Sequence, residues 1–221
     1  MNTRTGRAVL FDVDGTLVDT NYLHVQAWRR VFLERGETEI ASARIHRLVG
    51  MGTDELLDTL FGRPRPELKP ERARQFDALK GEIRAFPQAG DLLRALHDRG
   101  VRVVLATSAE KSDLEALLEA IDADDAIDEV TSAGEVEQAK PSPDLFCVAL
   151  EAAGTAPDAT VVMGDTVWDV KAAARAGLPC VAVTSGGISR GELESAGAIA
   201  VYDDVGAVLD DLDQSPLVGG G

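Results

Sequence analysis

The chain has 221 residues, of which 45% are hydrophobic and 27% are charged, and this composition excludes a disordered protein. The 38 Asp and Glu residues outnumber the 22 Lys and Arg residues, and the net charge of −16 argues against binding to nucleic acid or to an anionic membrane. No apolar run approaches the roughly 20 residues of a membrane-spanning helix, and MNTRTGR at the N-terminus lacks the apolar segment of a signal peptide. Cys147 and Cys180 stand outside any CxxC pattern, so we expect two ordinary buried thiols and a cytoplasmic protein.

Short apolar runs rich in β-branched residues mark the predicted strands. Most are continuously apolar rather than alternating, which is typical of parallel strands buried on both faces. Helical patterns separate the later runs, and Gly100, Gly154 and Gly177 end three of them. One helix is expected to begin with Ser142 as its N-cap and Pro143 at its first position. The predicted strands are residues 8–11, 101–106, 129–131, 160–163, 180–183 and 199–202. This alternation predicts a doubly wound parallel α/β sheet.

Residues 20–86 break this alternation, because they contain helical patterns and no predicted strand. We therefore expect a helical cap at 20–86, inserted after the first strand of a core made of 1–19 and 87–213, and a loose tail at 214–221. The cap segment holds 12 Lys and Arg residues against 10 Asp and Glu residues, whereas the rest of the chain is acidic. Ion pairs along a solvated helix surface explain this balance, and so does a lid whose underside meets an anionic substrate.

Two carboxylates follow the first predicted strand, in the motif FDVDGT at residues 11–16. Because ligands bind beyond the C-terminal ends of strands in open α/β sheets, Asp12 and Asp14 can project toward one site, and Gly15 permits a tight turn there. Two nearby carboxylates repel each other unless a proton or cation lies between them, which indicates a divalent metal. An EF-hand loop would need its glycine at the sixth position rather than the fourth. A strand-to-turn exit without function is the structural alternative.

Three further segments bring polar groups to the same predicted edge of the sheet. Thr107 and Ser108 follow the second strand and offer hydroxyl and backbone N–H groups. Lys140 precedes a predicted helix start, and Asp165 and Asp169 follow the 160–163 strand. If Asp165 begins the next helix, the two acids stack on one helix face. The structural alternatives are a capping hydroxyl, a solvated lysine and acids that stabilise a helix N-terminus.

Together these segments resemble the motifs of the haloacid dehalogenase-like superfamily, in its branch with a helical cap after the first strand. The motifs are FDVDGT at 11–16, LATS at 105–108, AKPSPD at 139–144 and GDTVWD at 164–169. Their order and spacing cover nearly the whole chain. The resemblance implies a Rossmann-like α/β core, a Mg²⁺ ion and an intermediate in which an aspartate carries the phosphoryl group.

The resemblance also implies a role for each motif residue. Asp12 would attack phosphorus, and Asp14 would protonate the leaving oxygen and then activate water. Thr107 and Lys140 would hold phosphoryl oxygens and offset charge in the transition state. The residues expected to line the phosphate and substrate site are Gly15, Thr16, Ser108, His24 and Thr53.

The implied metal site uses three aspartates. Mg²⁺ would bind the carboxylates of Asp12 and Asp165 and the backbone carbonyl of Asp14, with Gly164 and Asp169 in support. Relatives that cleave carbon–halogen bonds lack an acid at the Asp14 position, and relatives that cleave phosphonates usually carry a small residue there. Asp14 therefore favours phosphoryl transfer to or from oxygen.

The cap carries weaker indications. His24 stands where related sugar-phosphate enzymes often have a histidine near the active site, although a histidine on a helix face is more often structural. Thr53 occupies the position in the cap's specificity loop where related phosphomutases tend to carry an arginine for a second phosphate. Its identity counts against a mutase, unless Arg44 or Arg47 takes over, and these two arginines are otherwise solvated surface charges.

The leading hypothesis is a Mg²⁺-dependent phosphomonoesterase that acts on a small phosphorylated metabolite, such as phosphoglycolate or a sugar phosphate. The alternatives are a sugar phosphomutase and a catalytically silent binding or regulatory protein of the same fold. No nucleic-acid or membrane partner is expected. No repeat, heptad or long exposed apolar stripe favours a homodimer over a monomer.

Overall fold

A sheet of six parallel strands forms the centre of the molecule in a computed structural model that describes residues 6–109, 111–132, 134 and 138–219. The strands are β1 Ala8–Phe11, β2 Arg102–Ala106, β3 Glu129–Thr131, β4 Thr160–Gly164, β5 Cys180–Val183 and β6 Ala200–Tyr202. Their order is β3-β2-β1-β4-β5-β6, so the winding direction reverses between β1 and β4. The doubly wound parallel α/β core predicted from the sequence is confirmed.

Helices cover both faces of the sheet and build the segment between β1 and β2. They are α1 Asn21–Glu34, α2 Ser42–His46, α3 Thr53–Phe61, α4 Lys69–Asp77, α5 Ala89–His97, α6 Lys111–Ile121, α7 Asp144–Ala153, α8 Val167–Arg175, α9 Arg190–Ala196 and α10 Val205–Asp210. Single 3₁₀ turns occupy Pro66–Leu68, Lys80–Glu82, Asp124–Ala126, Pro157–Ala159 and Leu212–Gln214. Within the described ranges, no helix has the length and apolar character needed to cross a bilayer.

Successive residues of the central strands point to opposite faces of the sheet. On one face, Val9 and Phe11 of β1 pack with apolar residues of α5, α6 and α10. On the other face, Ala8 and Leu10 pack with apolar residues of α7, α8 and α9. Because helices bury both faces, β1 is apolar at every position, as the continuous pattern predicts.

The helices between β1 and β2 have an apolar cluster of their own. Trp28 and Phe32 of α1 pack there with Ile45 of α2, Leu57 of α3 and Leu68. Burial of large apolar side chains is the main source of stability for such a unit. Helices α1, α2 and α3 therefore share a core of their own, whereas Ala27, Phe76, Leu79 and Ile83 of the same segment join the sheet cluster of Val9 and Phe11.

The chain leaves the sheet and returns to it at adjacent positions. Asp19 N donates to Arg84 O at 2.9 Å, and Phe86 N donates to Leu17 O at 2.9 Å. These hydrogen bonds join the chain segment that leads into the insertion to the segment that leads out of it. We therefore propose residues 20–86 as the cap and the remainder as the core.

The C-terminal segment differs from the expectation of a loose tail from residue 214. Ser215 and Leu217 are buried, and Leu217 packs in the same apolar cluster as β1. Ser215 Oγ donates to Leu212 O at 2.8 Å, which turns the chain back toward the core after α10.

Two local expectations are also wrong. Cys147 is exposed, because it lies on the outer side of α7, whereas Cys180 in β5 is buried as expected. Helix α7 begins at Asp144 with Pro143 as its N-cap, rather than with Ser142. The Ser142 hydroxyl donates to Asp144 Oδ1 at 2.7 Å, so it bonds an acid side chain rather than capping the backbone.

Candidate active site

Polar side chains from separate parts of the chain meet beyond the C-terminal ends of β1, β2 and β4. Asp12 follows β1 directly, and its backbone N donates to Met163 O of β4 at 2.8 Å. Thr107 follows β2, and Asp165 follows β4. Lys140, which precedes α7, reaches the same place and contacts Asp12. The site therefore lies at the switch point of the sheet, where ligands bind in folds of this kind.

Three buried carboxylates form a cluster at this edge. One oxygen from each of Asp12, Asp165 and Asp169 lies within 4.8 Å of the others. Lys140, only 1% exposed, contacts Asp12 Oδ1 and lies 2.7 Å from Asp169 Oδ1. Among the described side chains of this cluster, three carboxylates and one ammonium leave two negative charges in excess. A buried excess of charge needs a cation or bound protons.

Burial sets the protonation of this cluster. Burial raises the pKa of Asp12 to about 7; the Lys140 ammonium opposes the rise, and Asp169 and Asp14 add to it. Burial likewise raises the pKa of Asp165 well above its usual range, and the charges of Asp12 and Asp169 reinforce the effect. Burial alone would lower the pKa of Lys140, but its two aspartate partners outweigh it and raise that pKa. The lysine stays charged, while the raised pKa values of Asp12 and Asp165 favour bound protons unless a cation takes their place.

The cluster fits a hard divalent cation such as Mg²⁺. Its donors are carboxylate oxygens, which such ions prefer to nitrogen or sulfur. One divalent ion would balance the two negative charges that Lys140 leaves uncompensated. In the part of the chain that the structure describes, no Lys or Arg forms an ion pair with Asp165 at 4.0 Å or less, so this acid is the one most in need of a cation.

Asp165 is held by neutral donors. Asn21 Nδ2, at the first position of α1, donates to Asp165 Oδ2 at 2.7 Å and lies 3.2 Å from Gly186 O. Thr16 Oγ1 lies 3.2 Å from Asp165 Oδ1 and 3.4 Å from Asp12 Oδ2. Thr16 is fully buried and its hydroxyl lies between the two acids, so it helps to orient them, and its contact with a phosphate stays a prediction. The sequence analysis did not predict a role for Asn21. The one feature that could have indicated it is the position of an amide side chain at the start of α1, shortly after the FDVDGT motif.

Gly15 permits both the turn after β1 and the close approach of the backbone to Asp165. Its φ is +81°, and a Cβ there would lie 2.4 Å from Asp165 Oδ2. Its N–H donates to Val18 O at 2.7 Å, which commits this donor to the turn rather than to a phosphate. Gly186 is equally constrained, since a Cβ on it would lie 1.7 Å from the same carboxylate oxygen.

Asp169 is fixed by the N-terminus of α8. Thr166 is the N-cap of this helix, and its N and Oγ1 donate to Asp169 Oδ2 at 3.0 and 2.5 Å. The other oxygen, Oδ1, faces Lys140. Asp165 precedes the N-cap, so the condition under which Asp165 and Asp169 would stack on one helix face is not met. Gly164 leaves room for Asp169, whose Cβ would lie 2.5 Å from a Cβ on that glycine.

The Asp14 side chain faces the cap. Thr20 Oγ1 donates to Asp14 Oδ1 at 2.5 Å, and His24 Nε2 lies 3.1 Å from the same oxygen. Burial alone would raise the pKa of Asp14, but the bonds from His24 and Thr20 and the charge of Arg72 outweigh it and lower that pKa to about 2. Asp12 and Asp14 therefore have opposite electrostatic environments.

His24 links Asp14 to helix α4 of the cap. Its ring stacks on Phe76 with a centroid separation of 4.4 Å, and Arg72 Nη2 contacts its Nδ1. Because a guanidinium can only donate, Nδ1 accepts and Nε2 carries the proton that is donated to Asp14. The sequence did not single out Arg72, although the basic balance of the cap was a signal in its direction.

A cleft of about 80 Å³ lies between core and cap. Asp12 and Asp14 line its floor, and Ser108 lines it from the core. His24 and Thr53 line it from the cap, so the structure brings these predicted residues together.

The remaining candidates divide between the cleft and the outer surface. Thr107 Oγ1 lies 3.5 Å from Asp14 Oδ2 at the cleft floor. Arg44 and Arg47 are not among the described residues that line the cleft. Arg44 lies 3.4 Å from a backbone oxygen of α3, and Arg47 pairs with Glu192 at the surface.

A family model for haloacid dehalogenase-like hydrolases matches residues 9–183. The chain belongs to this family. Among these hydrolases, a phosphoglycolate phosphatase of Rhodospirillum rubrum is 33% identical over 92% of this chain and 90% of its own length. A hydrolase structure from Pseudomonas syringae has a TM-score of 0.87 and 34% identity, covering 94% of this chain and 98% of its own. The structure of CbbY from Rhodobacter sphaeroides in complex with phosphate has a TM-score of 0.76 and 30% identity, covering 95% of this chain and 100% of its own. The resemblance drawn from the four motifs is confirmed.

Proposed function

We propose that this hydrolase is a Mg²⁺-dependent phosphomonoesterase that acts on a small phosphorylated metabolite of the phosphoglycolate or sugar phosphate class. The observation that carries the proposal is the contrast between the two carboxylates on the cleft floor. Asp12 lies against a buried ammonium, whereas Asp14 is hydrogen-bonded to the cap. Two acids in opposite environments can divide the roles of nucleophile and acid–base group. The proposed compartment is the cytoplasm, on the basis of the cysteine pattern.

In the first half of the reaction, a carboxylate oxygen of Asp12 attacks phosphorus and the bond to the leaving oxygen breaks. Lys140 holds Asp12 and offsets charge on the phosphoryl oxygens. Asp14 gives a proton to the leaving oxygen. A bound phosphate dianion beside Asp14 disfavours its charged form, which raises its pKa from the low value of the free protein and supplies the acid.

In the second half, Asp14 takes a proton from water, which attacks the phosphoryl group on Asp12 and releases phosphate. Thr20 and His24 keep the Asp14 side chain in place for both transfers. Thr107 and Ser108, at the end of β2, offer hydroxyl groups to the phosphoryl oxygens.

The acidic cluster would hold the metal. Its ligands would be the carboxylates of Asp12 and Asp165 and the backbone carbonyl of Asp14, with Asp169 and Gly164 in support. When bound, Mg²⁺ supplies positive charge that offsets the charge of the phosphoryl oxygens.

The test is phosphate release from a panel of phosphorylated metabolites, with Mg²⁺ or with EDTA, and with Asp12→Asn as the blank. The panel includes phosphoglycolate, hexose and pentose phosphates, nucleoside monophosphates and glucose 1-phosphate. We expect metal-dependent release that the blank lacks. Absence of release from every member would reject the phosphatase.

A phosphomutase needs a second phosphate site in the cap. Thr53 supplies a hydroxyl where such a site would use an arginine, and Arg44 and Arg47 are directed elsewhere. Arg72 does line the cleft, but Asp113 faces it. A search of the same reaction mixtures for isomerised sugar phosphates separates the two activities.

A further inference from the structure

One part of the cleft wall joins an arginine of the cap to an aspartate of the core. Arg72 of α4 and Asp113 of α6 both line the cleft, and Arg72 Nη1 lies 3.6 Å from Asp113 Oδ2. Their side chains are 15% and 9% exposed, so water screens them only in part. Neither residue belongs to the motifs that carry the phosphoryl chemistry.

The Arg72–Asp113 pair belongs to a network of four charged side chains whose positive and negative charges balance. Lys80 Nζ lies 2.9 Å from Asp113 Oδ1 and 2.8 Å from Asp77 Oδ1. The network holds two cations, Arg72 and Lys80, and two carboxylates, Asp113 and Asp77. Arg72 and Asp113 line the cleft, whereas Lys80 and Asp77 are not among its described lining residues. A substrate that carried a carboxylate or a second phosphate here would meet Asp113 with no surplus positive charge to offset the repulsion.

The same wall offers both a donor and an acceptor to a neutral group. Arg72 Nε is buried and has no hydrogen-bond partner within the described ranges, and the guanidinium stacks 4.6 Å over the Phe76 ring. Asp113 supplies carboxylate oxygens. A hydroxyl group can donate to a carboxylate and accept from a guanidinium, so an adjacent pair of this kind suits a polyol.

The cleft wall also has an apolar part. Trp28, Val49, Met51 and Leu56 line it from the cap. The C–H face of a sugar or polyol packs on such side chains while its hydroxyl groups bond elsewhere.

We propose that the Arg72–Asp113 pair selects phosphate esters with a neutral, hydroxylated leaving group, and that Asp113 discriminates against leaving groups that carry a carboxylate or a second phosphate. This inference rests on the proposed phosphatase function. It favours sugar and polyol phosphates over phosphoglycolate within the proposed substrate class.

Two pairs of substrates that differ in one group test the proposal. Glycerol 3-phosphate and 3-phosphoglycerate differ by a hydroxymethyl group against a carboxylate, as do 2-hydroxyethyl phosphate and phosphoglycolate. We expect kcat/KM of the parent to favour the neutral member of each pair by about tenfold or more, the scale on which one uncompensated charge changes specificity. Asp113→Asn, which keeps size but removes charge, should raise the relative kcat/KM of the anionic member by about tenfold.

The control is Asp124→Asn, which removes the same charge from an exposed residue outside the cleft and should leave both ratios unchanged. Asp113→Ser serves as a second neutral variant, and a thermal unfolding curve shows whether each variant is folded. A parent that prefers the anionic members, or ratios that Asp113→Asn and Asp113→Ser do not move, would overturn the inference while leaving the phosphatase intact.

A binding measurement keeps the two proposals separable. If the parent releases phosphate from no substrate, the phosphatase function fails. Calorimetric titration of Asp12→Asn with glycerol 3-phosphate and 3-phosphoglycerate then still tests the charge selection. Tighter binding of the neutral ester supports the role of Asp113, and equal or weaker binding rejects it.

Discussion

The floor and the wall of the cleft differ in whether their positive and negative charges balance. At the floor and beneath it, Asp12, Asp165, Asp169 and Lys140 are almost fully buried and leave an excess of negative charge. On the wall, charged side chains such as Arg72 are partly exposed and are matched by carboxylates. An unbalanced buried cluster needs a cation from outside, whereas a balanced wall needs none. We therefore propose that the phosphoryl chemistry takes place on the floor and that the wall selects the leaving group.

Among the variants that test this contrast, we expect the largest loss of activity from a substitution on the floor. Asp12→Asn removes the attacking carboxylate and should lower phosphate release by at least about 10⁴-fold. Asp19→Asn is the matched control, since Asp19 lies in the same segment but is exposed, and it should retain activity. Steady-state phosphate release and thermal unfolding of both variants check the prediction. If Asp12→Asn released phosphate at the parent's rate, Asp12 would not be the nucleophile.

Asp14→Asn separates acid–base chemistry from metal binding. We expect turnover to fall by about 10²–10⁴-fold, because the proton transfers are lost while the Asp14 backbone carbonyl remains. Asp165→Asn is the comparison, and it should lose Mg²⁺ affinity. Isothermal titration calorimetry with Mg²⁺ measures the affinity of each variant for the metal. Equal losses of affinity would contradict the division of roles.

The unbalanced charge of the floor predicts how the stability of the metal-free protein depends on pH. Folded Asp12 keeps its proton up to a pKa of about 7, whereas the unfolded chain releases it near 3.8. Between these values the folded state binds more protons, so the free energy of unfolding should fall as pH rises, by about 1.4 kcal/mol per pH unit for one retained proton.

Chemical denaturation between pH 4 and pH 7, with EDTA or with Mg²⁺, checks this dependence. Saturating Mg²⁺ takes the place of the proton and should flatten the slope. Without metal, Asp12→Asn should make the slope shallower, and the raised pKa of Asp165 should account for the slope that remains. Stability that rises across this window in the presence of EDTA would show that the cluster is not proton-loaded.

We expect the smallest effect, a change in stability, at the rim of the cleft, where Arg47 of the cap contacts Trp168 and Glu192 of the core. Trp168 Nε1 donates to Arg47 O at 3.1 Å, and Arg47 also pairs with Glu192. Arg47→Ala keeps the backbone carbonyl and removes only an exposed ion pair, so the unfolding midpoint should move by less than about 2 °C. Trp28→Ala, in the apolar cluster of the cap, should move it much further. Comparable shifts for the two variants would mean that the rim holds the cap in place.

The sequence by itself determined the groups that parallel strands must bring together. Asp12, Thr107 and Asp165 each follow a short apolar run, and the C-terminal ends of parallel strands share one edge of the sheet. The position of these residues along the chain therefore predicts that they meet. Lys140 does not directly follow a predicted strand, so its role was predicted from the resemblance of AKPSPD to a family motif, and its contact with Asp12 is seen only in the structure.

Only the tertiary structure decided which neighbours support these groups and which residues shape the cleft wall. Gly15 and Thr16 lie in the first motif, but the turn directs Thr16 toward the acids, and this depends on φ and ψ rather than on residue type. Asn21, Arg72 and Asp113 lie in helices whose contacts with the site depend on how the cap packs on the core. Helical periodicity shows which residues share a helix face, but it does not show which partner that face meets.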